Sequence, residues 1–174
     1  MKEKKAWVVS VDMGYGHQRA AYPLKDIAYQ RIITANSDKI LSAKEKKMWG
    51  HTQSFYEKVS RGSSSPLGKV FFNLFDRLQS ISPYYPFRDL SKPTIIVNYI
   101  DSKVRKGLSK SAVDFAKTKK LPIITTFFIP AIAAMYAKLP DIYCVVTDSD
   151  INRAWVAKEP KKSKINYLVP TQHT

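Results

Sequence analysis

Ala6-Trp7-Val8-Val9-Ser10-Val11, followed by Asp12-Met13-Gly14-Tyr15-Gly16-His17, is the stretch that decides the fold. The first six residues are almost all apolar and three are valine, the composition of a strand covered on both faces. Two glycines then free the backbone to turn. Beyond them Ala20, Ala21, Leu24, Ile27 and Ala28 recur at helical spacing, so the reading is strand, glycine turn, helix. Pro23 lacks a donor N–H, which a first turn does not need, and this predicts a helix starting near Arg19 to Tyr22.

The same alternation continues along the chain. Residues 29–35 read as a strand, and Asn36-Ser37-Asp38 as a cap for a lysine-rich stretch reaching about Arg61. After the break at 61–66, residues 67–81 carry Val70, Phe71, Leu74, Phe75 and Leu78 on one helical face. Residues 82–87 form an aromatic loop. A helix over 94–106 ends at Gly107, and Ser111-Ala112-Val113-Asp114 resembles a capping box opening another. Residues 123–128, 142–147 and 165–169 read as strands, with a short helix over 131–138. Helices alternating with continuous apolar strands predict an α/β fold: a Rossmann-like open parallel sheet with helices on both faces.

A chain of 174 residues with 44% hydrophobic content can bury one core, so residues 1–174 are expected to form a single domain. No period recurs. Lys and Arg number 29 against 14 acidic residues, a formal charge of +15, which attracts polyanions, either nucleic acid or anionic lipid. The one cysteine, Cys144, lies in an apolar run, reads as a small buried hydrophobe and fits a reducing compartment. The apolar run at 6–11 is too short for a signal-peptide core. Residues 121–137 approach the length of a membrane span, but Pro122 and Pro130 divide them into a strand and a helix.

Three features could carry chemistry. The Asp12 to His17 turn sits where a strand hands over to a helix, the place where open parallel sheets bind ligands. The pattern Gly14-x-Gly16-His17 lacks the third glycine of a dinucleotide fingerprint, which disfavours NAD. His17 beside a helix N-terminus is expected to be neutral, suited to general base work or hydrogen bonding, unless the turn is purely structural. The second feature is Thr147-Asp148-Ser149-Asp150, with Trp155 seven residues beyond Asp148. Two carboxylates flanking one residue could hold a divalent metal against a nucleotide diphosphate; the plainer alternative is a turn in which Asp148 caps the next short helix. The third is a basic and aromatic surface, Lys69, Phe71, Phe75, Tyr84, Tyr85 and Arg88, an apolar face rimmed with cations that suits an anionic bilayer. No finger, RNP motif or P-loop supports nucleic acid, and His17, His51 and His173 lack metal-ligand spacing.

Together these features resemble a family, the monogalactosyldiacylglycerol synthases and processive diacylglycerol glucosyltransferases. More distantly they are similar to the N-acetylglucosaminyltransferase that forms lipid II. The family opens with a strand and an Asp-x-Gly-x-Gly-His turn, matched by Asp12, Gly14, Gly16, His17 and, in the helix, Ala21. A later strand ends in Thr-Asp, followed by Trp and a Tyr-x-Val strand, matched by Thr147, Asp148, Trp155, Val156, Tyr167 and Val169. Asn152 stands where members commonly carry His, and Gln18 where they often carry Arg. The resemblance implies the N-terminal, acceptor-side half of a GT-B fold, with a C-terminal donor-binding domain absent from this chain. It further implies inverting transfer from a UDP-sugar to a lipid acceptor by a cytoplasmic protein peripheral to the membrane, without a metal or other cofactor. His17 would assist acceptor deprotonation or binding. Asp12, Gly14, Gly16, Asp148, Asn152 and Trp155 would bind substrate. The competing expectation is a non-catalytic basic module for anionic lipid or nucleic acid.

Overall fold

A computed structural model describes residues 4–62, 73, 77–81, 84, 86–149 and 151–170. The strands are β1 (Ala6–Ser10), β2 (Ala28–Thr34), β3 (Ile123–Thr125), β4 (Ile142–Val145) and β5 (Ile165–Leu168). They form one five-stranded sheet in the order β2-β1-β3-β4-β5, and every pairing is parallel. The helices are α1 (Tyr15–Ala21), α2 (Ala43–Gly62), α3 (Ile95–Arg105), α4 (Lys110–Ala116) and α5 (Phe128–Tyr136). The chain steps outward from β1 to β2, then back across β1 to β3 and onward. With right-handed crossovers, that reversal sets α1 on one face and the later helices on the other. The result is the Rossmann-like open parallel sheet that the sequence predicts.

Every residue of β1 is buried, because partners lie on both edges and helices on both faces. Trp7 anchors the core. Its ring meets Tyr29 edge-on at 4.9 Å and Phe115 at 5.2 Å, and its Nε1 donates to the Lys119 carbonyl at 3.0 Å. The same cluster takes in Val9, Val11, Ile33, Ile123, Ile142 and Cys144 from the sheet side and Trp49, Leu108, Val113 and Ile132 from the helical side. Cys144 is fully buried, and burial pushes its thiol pKa up.

Several boundaries and caps differ from expectation. α1 begins at Tyr15 rather than near Arg19, because Gly14 launches it directly. Pro23 falls in a short 3-10 helix, Tyr22–Asp26, that follows. Asn36 and Asp38 do not cap α2. Asn36 bonds Asp12, Asp38 takes Arg31, and the cap is Ser42, whose Oγ accepts from Glu45 N at 3.2 Å. The capping box at Ser111 is not formed. α4 starts at Lys110, and the Ser111 hydroxyl instead reaches Glu45 of α2 at 2.5 Å. β3 stops at Thr125, and Phe128 already opens α5, with Pro130 in its first turn where no donor is needed. The stretch at 121–137 is thus strand, turn and helix, and among the described residues no helix is long and apolar enough to cross a membrane. Lys69, Phe71, Phe75 and Tyr85 lie outside the described residues, as do most of the helix expected over 67–81 and parts of the aromatic loop.

One buried cation braces the end of the chain. Arg153, 2% exposed, donates to the carbonyls of Leu90 (2.7 Å), Val156 (2.8 Å), Ala157 (3.1 Å) and Lys158 (3.1 Å). Burial lowers its pKa, and the four carbonyl dipoles stand in for a counter-ion.

Candidate functional site

In an open parallel sheet, ligands bind beyond the carboxyl ends of the strands where the strand order reverses. Here the reversal falls between β1 and β3. β1 runs into the Asp12 to His17 turn, β3 into Thr126-Phe127-Phe128, and β4, next in line, into Thr147-Asp148. Three strand ends therefore converge on one spot.

Local rules shape the turn. Gly14 stands at the N-cap of α1 with φ 111° and ψ 153°, a combination that is strained for any residue with a Cβ. Asn36, at the end of β2, continues the sheet pairing by side chain: its Oδ1 accepts from Asp12 N at 2.7 Å and its Nδ2 donates to Asp12 O at 2.9 Å. Gln18 Nε2 donates to Asp12 Oδ1 at 2.8 Å. Gln18 thus holds the turn's carboxylate. A Cβ built on Gly16 would meet nothing within 4 Å, so that side of the turn is open.

His17, in the first turn of α1, reaches across the sheet. Its Nδ1 lies 2.8 Å from the Thr126 carbonyl and 3.0 Å from Thr147 Oγ1. A carbonyl oxygen only accepts, so Nδ1 carries the proton and donates, and Nε2 keeps its lone pair with no hydrogen-bond partner among the described residues. Burial pushes the His17 pKa below its ordinary 6.5, opposed by the Thr126 carbonyl and by the Asp148 charge. The direction is as expected from sequence, but its leading cause is burial rather than the helix end. Phe127 meets the imidazole edge-on at 4.9 Å, and Trp155 and Phe128 complete an aromatic wall, 5.4 Å apart.

Asp148 does not cap the next helix. It accepts from Trp155 Nε1 at 2.8 Å, and Asn152 takes the capping role, its Oδ1 accepting from Ala154 N at 3.0 Å. Tyr167 on β5 donates its hydroxyl to the Trp155 carbonyl at 3.0 Å, so the Asp148–Trp155 pair is held from β5 as well. Among the described residues no three His, Cys, Asp or Glu side chains group as metal ligands; Asp150 lies outside them.

The structure brings His17, Asp148 and Trp155 into one neighbourhood, with Asp12, Gly14 and Gly16 along its edge. Tyr84 and Arg88 are engaged with each other, and Ser80, to which Arg88 donates, pairs with Asn152 at the margin of the site. The Arg88 guanidinium sits 4.3 Å over the Tyr84 ring and donates to the carbonyls of Arg77 (2.8 Å) and Ser80. Exposed apolar side chains in the same stretch of chain are Leu78, Phe87 and Ile95. Sequence reasoning omitted Thr126, Phe127 and Phe128 from the site. Their signal was available, since they follow the end of a strand adjacent to β1.

No protein-family model matches the chain, and neither the curated proteins nor the solved structures compared with it include a match.

Proposed function

We propose that this chain is the acceptor-side domain of an inverting glycosyltransferase of GT-B type, moving a sugar from a UDP-sugar to a lipid hydroxyl at a membrane surface. A second domain would hold the donor. The observation that carries this reading is His17: its Nδ1 is bound at the convergence of β3 and β4 and its Nε2 is left unpartnered. Inverting transfer needs a base. As the acceptor oxygen bonds to the anomeric carbon, UDP departs with the electrons of the bond it breaks, and the hydroxyl proton passes to Nε2. An imidazole kept neutral by burial is ready for that proton at neutral pH. Phe128, half-buried, offers an apolar contact for a lipid acceptor, backed by the buried Phe127 and Trp155. A charge of +15 favours approach to anionic headgroups, and Phe87 and Ile95 offer apolar contacts beside Arg88 and Lys92. Asp148 shapes the acceptor side through Trp155 rather than holding a metal.

The test is transfer from a UDP-sugar to diacylglycerol in anionic vesicles, using the full-length protein. His17→Ala should lower turnover by about 10²-fold or more. Retained turnover removes the base role. The basic-module alternative draws on the same net charge; it predicts no transfer, with nucleic-acid binding that weakens steeply with salt.

A further inference from the structure

We propose that Thr147 is the positioning residue of His17: together with the Thr126 carbonyl it holds the imidazole in the Nδ1–H tautomer and aims the Nε2 lone pair at the open side of the turn. The value of this to sugar transfer rests on the function proposed above. The tautomer itself does not.

The argument starts from hydrogen-bonding capacity. With the Nδ1 proton given to Thr126 O at 2.8 Å, Nδ1 has no lone pair left to accept from a hydroxyl. Thr147 Oγ1, 3.0 Å from the same nitrogen, is therefore a second acceptor in a three-centre bond. Which ring nitrogen of a histidine carries the proton is set by the hydrogen bonds the ring makes, so a protein that needs the Nδ1–H form must provide acceptors at Nδ1. Here two neighbouring strands do so. Thr125 pairs with Cys144, which brings Thr126 and Thr147 just past the ends of β3 and β4, on the side toward which α1 delivers His17. Phe127, edge-on at 4.9 Å, packs against the ring and limits its rotation.

The arrangement also stabilises the product of proton transfer. Once Nε2 takes a proton the ring is cationic, and two acceptor oxygens already face its Nδ1–H while the Asp148 carboxylate adds a favourable field. Trp155 Nε1 keeps Asp148 in place. The hydroxyl proton of Thr147 is not consumed by His17, and Thr147 Oγ1 has no other partner among the described residues. It is left as a donor beside the base.

The chain with ¹⁵N-labelled histidine allows a direct test, because the shifts of the two ring nitrogens report tautomer and titration for each histidine. His17→Gln assigns the signal. The wild-type chain should show His17 protonated at Nδ1 and bare at Nε2. Thr147→Val, which keeps the β-branch and removes the oxygen, should move the population toward the Nε2–H form and lower the titration midpoint. Thr147→Ser should restore both. A wild-type His17 in the Nε2–H form overturns the proposal, as does a Val variant with unchanged tautomer and titration. If the Val variant does not fold, the wild-type tautomer and its retention in the Ser variant decide. In the full-length protein, Thr147→Val should reduce kcat by about tenfold with KM little changed, a part of the 10²–10⁴ that a general base supplies. A shifted tautomer with unaltered turnover would refute the base function of His17 while leaving the positioning role intact.

Discussion

Replacing Gly16 by alanine separates what the turn does for the fold from what it does for a ligand. Gly16 is helical, within α1, and an added Cβ would have no atom within 4 Å. Glycine inside a helix is roughly 0.5–1 kcal/mol worse than alanine, and a place in the first turn puts the gain near the lower figure, about 0.5 kcal/mol. At 2–4 °C per kcal/mol for a chain of this size, Tm should rise by about 1–2 °C. The new methyl would stand in the open space next to His17, where on the proposed function an acceptor approaches, so turnover should then fall by about tenfold, or 1.4 kcal/mol. Calorimetry of the isolated chain and transfer kinetics of the full-length protein provide the two readings. A raised Tm with unchanged kinetics would show that nothing binds over the turn. A lowered Tm would show that Gly16 is needed for packing, contrary to its empty surroundings. Gly14→Ala is the contrasting control: at φ 111° it should lose about 1–3 kcal/mol by strain alone.

Acid should weaken the fold through His17. Its folded pKa lies below 6.5, so as pH falls through that value the unfolded chain takes up the proton first and stability declines until the folded pKa is reached. Urea midpoints followed from about pH 8 to pH 5 should drop in the wild type and stay flatter in His17→Gln; equal slopes would contradict the assignment. Asp38, held below its ordinary range by Arg31, adds a loss with the same sign at lower pH. Away from the site, Ser111→Ala should cost about 1–3 kcal/mol. Glu45 is 2% exposed, its Oε2 depends on the Ser111 N–H (2.9 Å) and hydroxyl (2.5 Å), and its Oε1 has no partner among the described residues. A Tm within about a degree of wild type would show that water already satisfies this carboxylate.

Much of the fold was legible because β1, β3 and β4 are largely apolar runs, which need no long-range information to be recognised, whereas β2 carries Gln30 and Arg31 and β5 carries Asn166. Boundaries were less so, and the misplaced caps share one cause. Asn36, Asp38, Asp148 and Ser111 all have side chains suited to local caps, and each is instead drawn to a partner made available by tertiary packing: the Asp12 backbone, Arg31, the Trp155 indole and Glu45. Asn152, by contrast, spends its oxygen on a cap. At the site, the turn and His17 could be read directly because glycine and histidine are informative residue types. Thr126 could not be identified from its own chemistry, since its contribution is a backbone carbonyl that any residue would supply. It was findable only from strand order, and the reversal between β1 and β3 is set by which strands pair.

Arg153 gives the two sides of the site unequal stiffness. Its guanidinium stitches the backbone at 90 to that at 156–158, and it sits in the same short 3-10 helix as Trp155. Trp155 and the Asp148 carboxylate that its indole holds are therefore tied to the backbone that Arg153 stitches together. The opposite lip, Gly14 to Gly16, is fastened mainly by the Asn36 and Gln18 clasps on Asp12. On the function proposed here, the side of the site toward Arg153 is the more heavily tied, and adjustment to acceptors of different width would fall to the glycine lip.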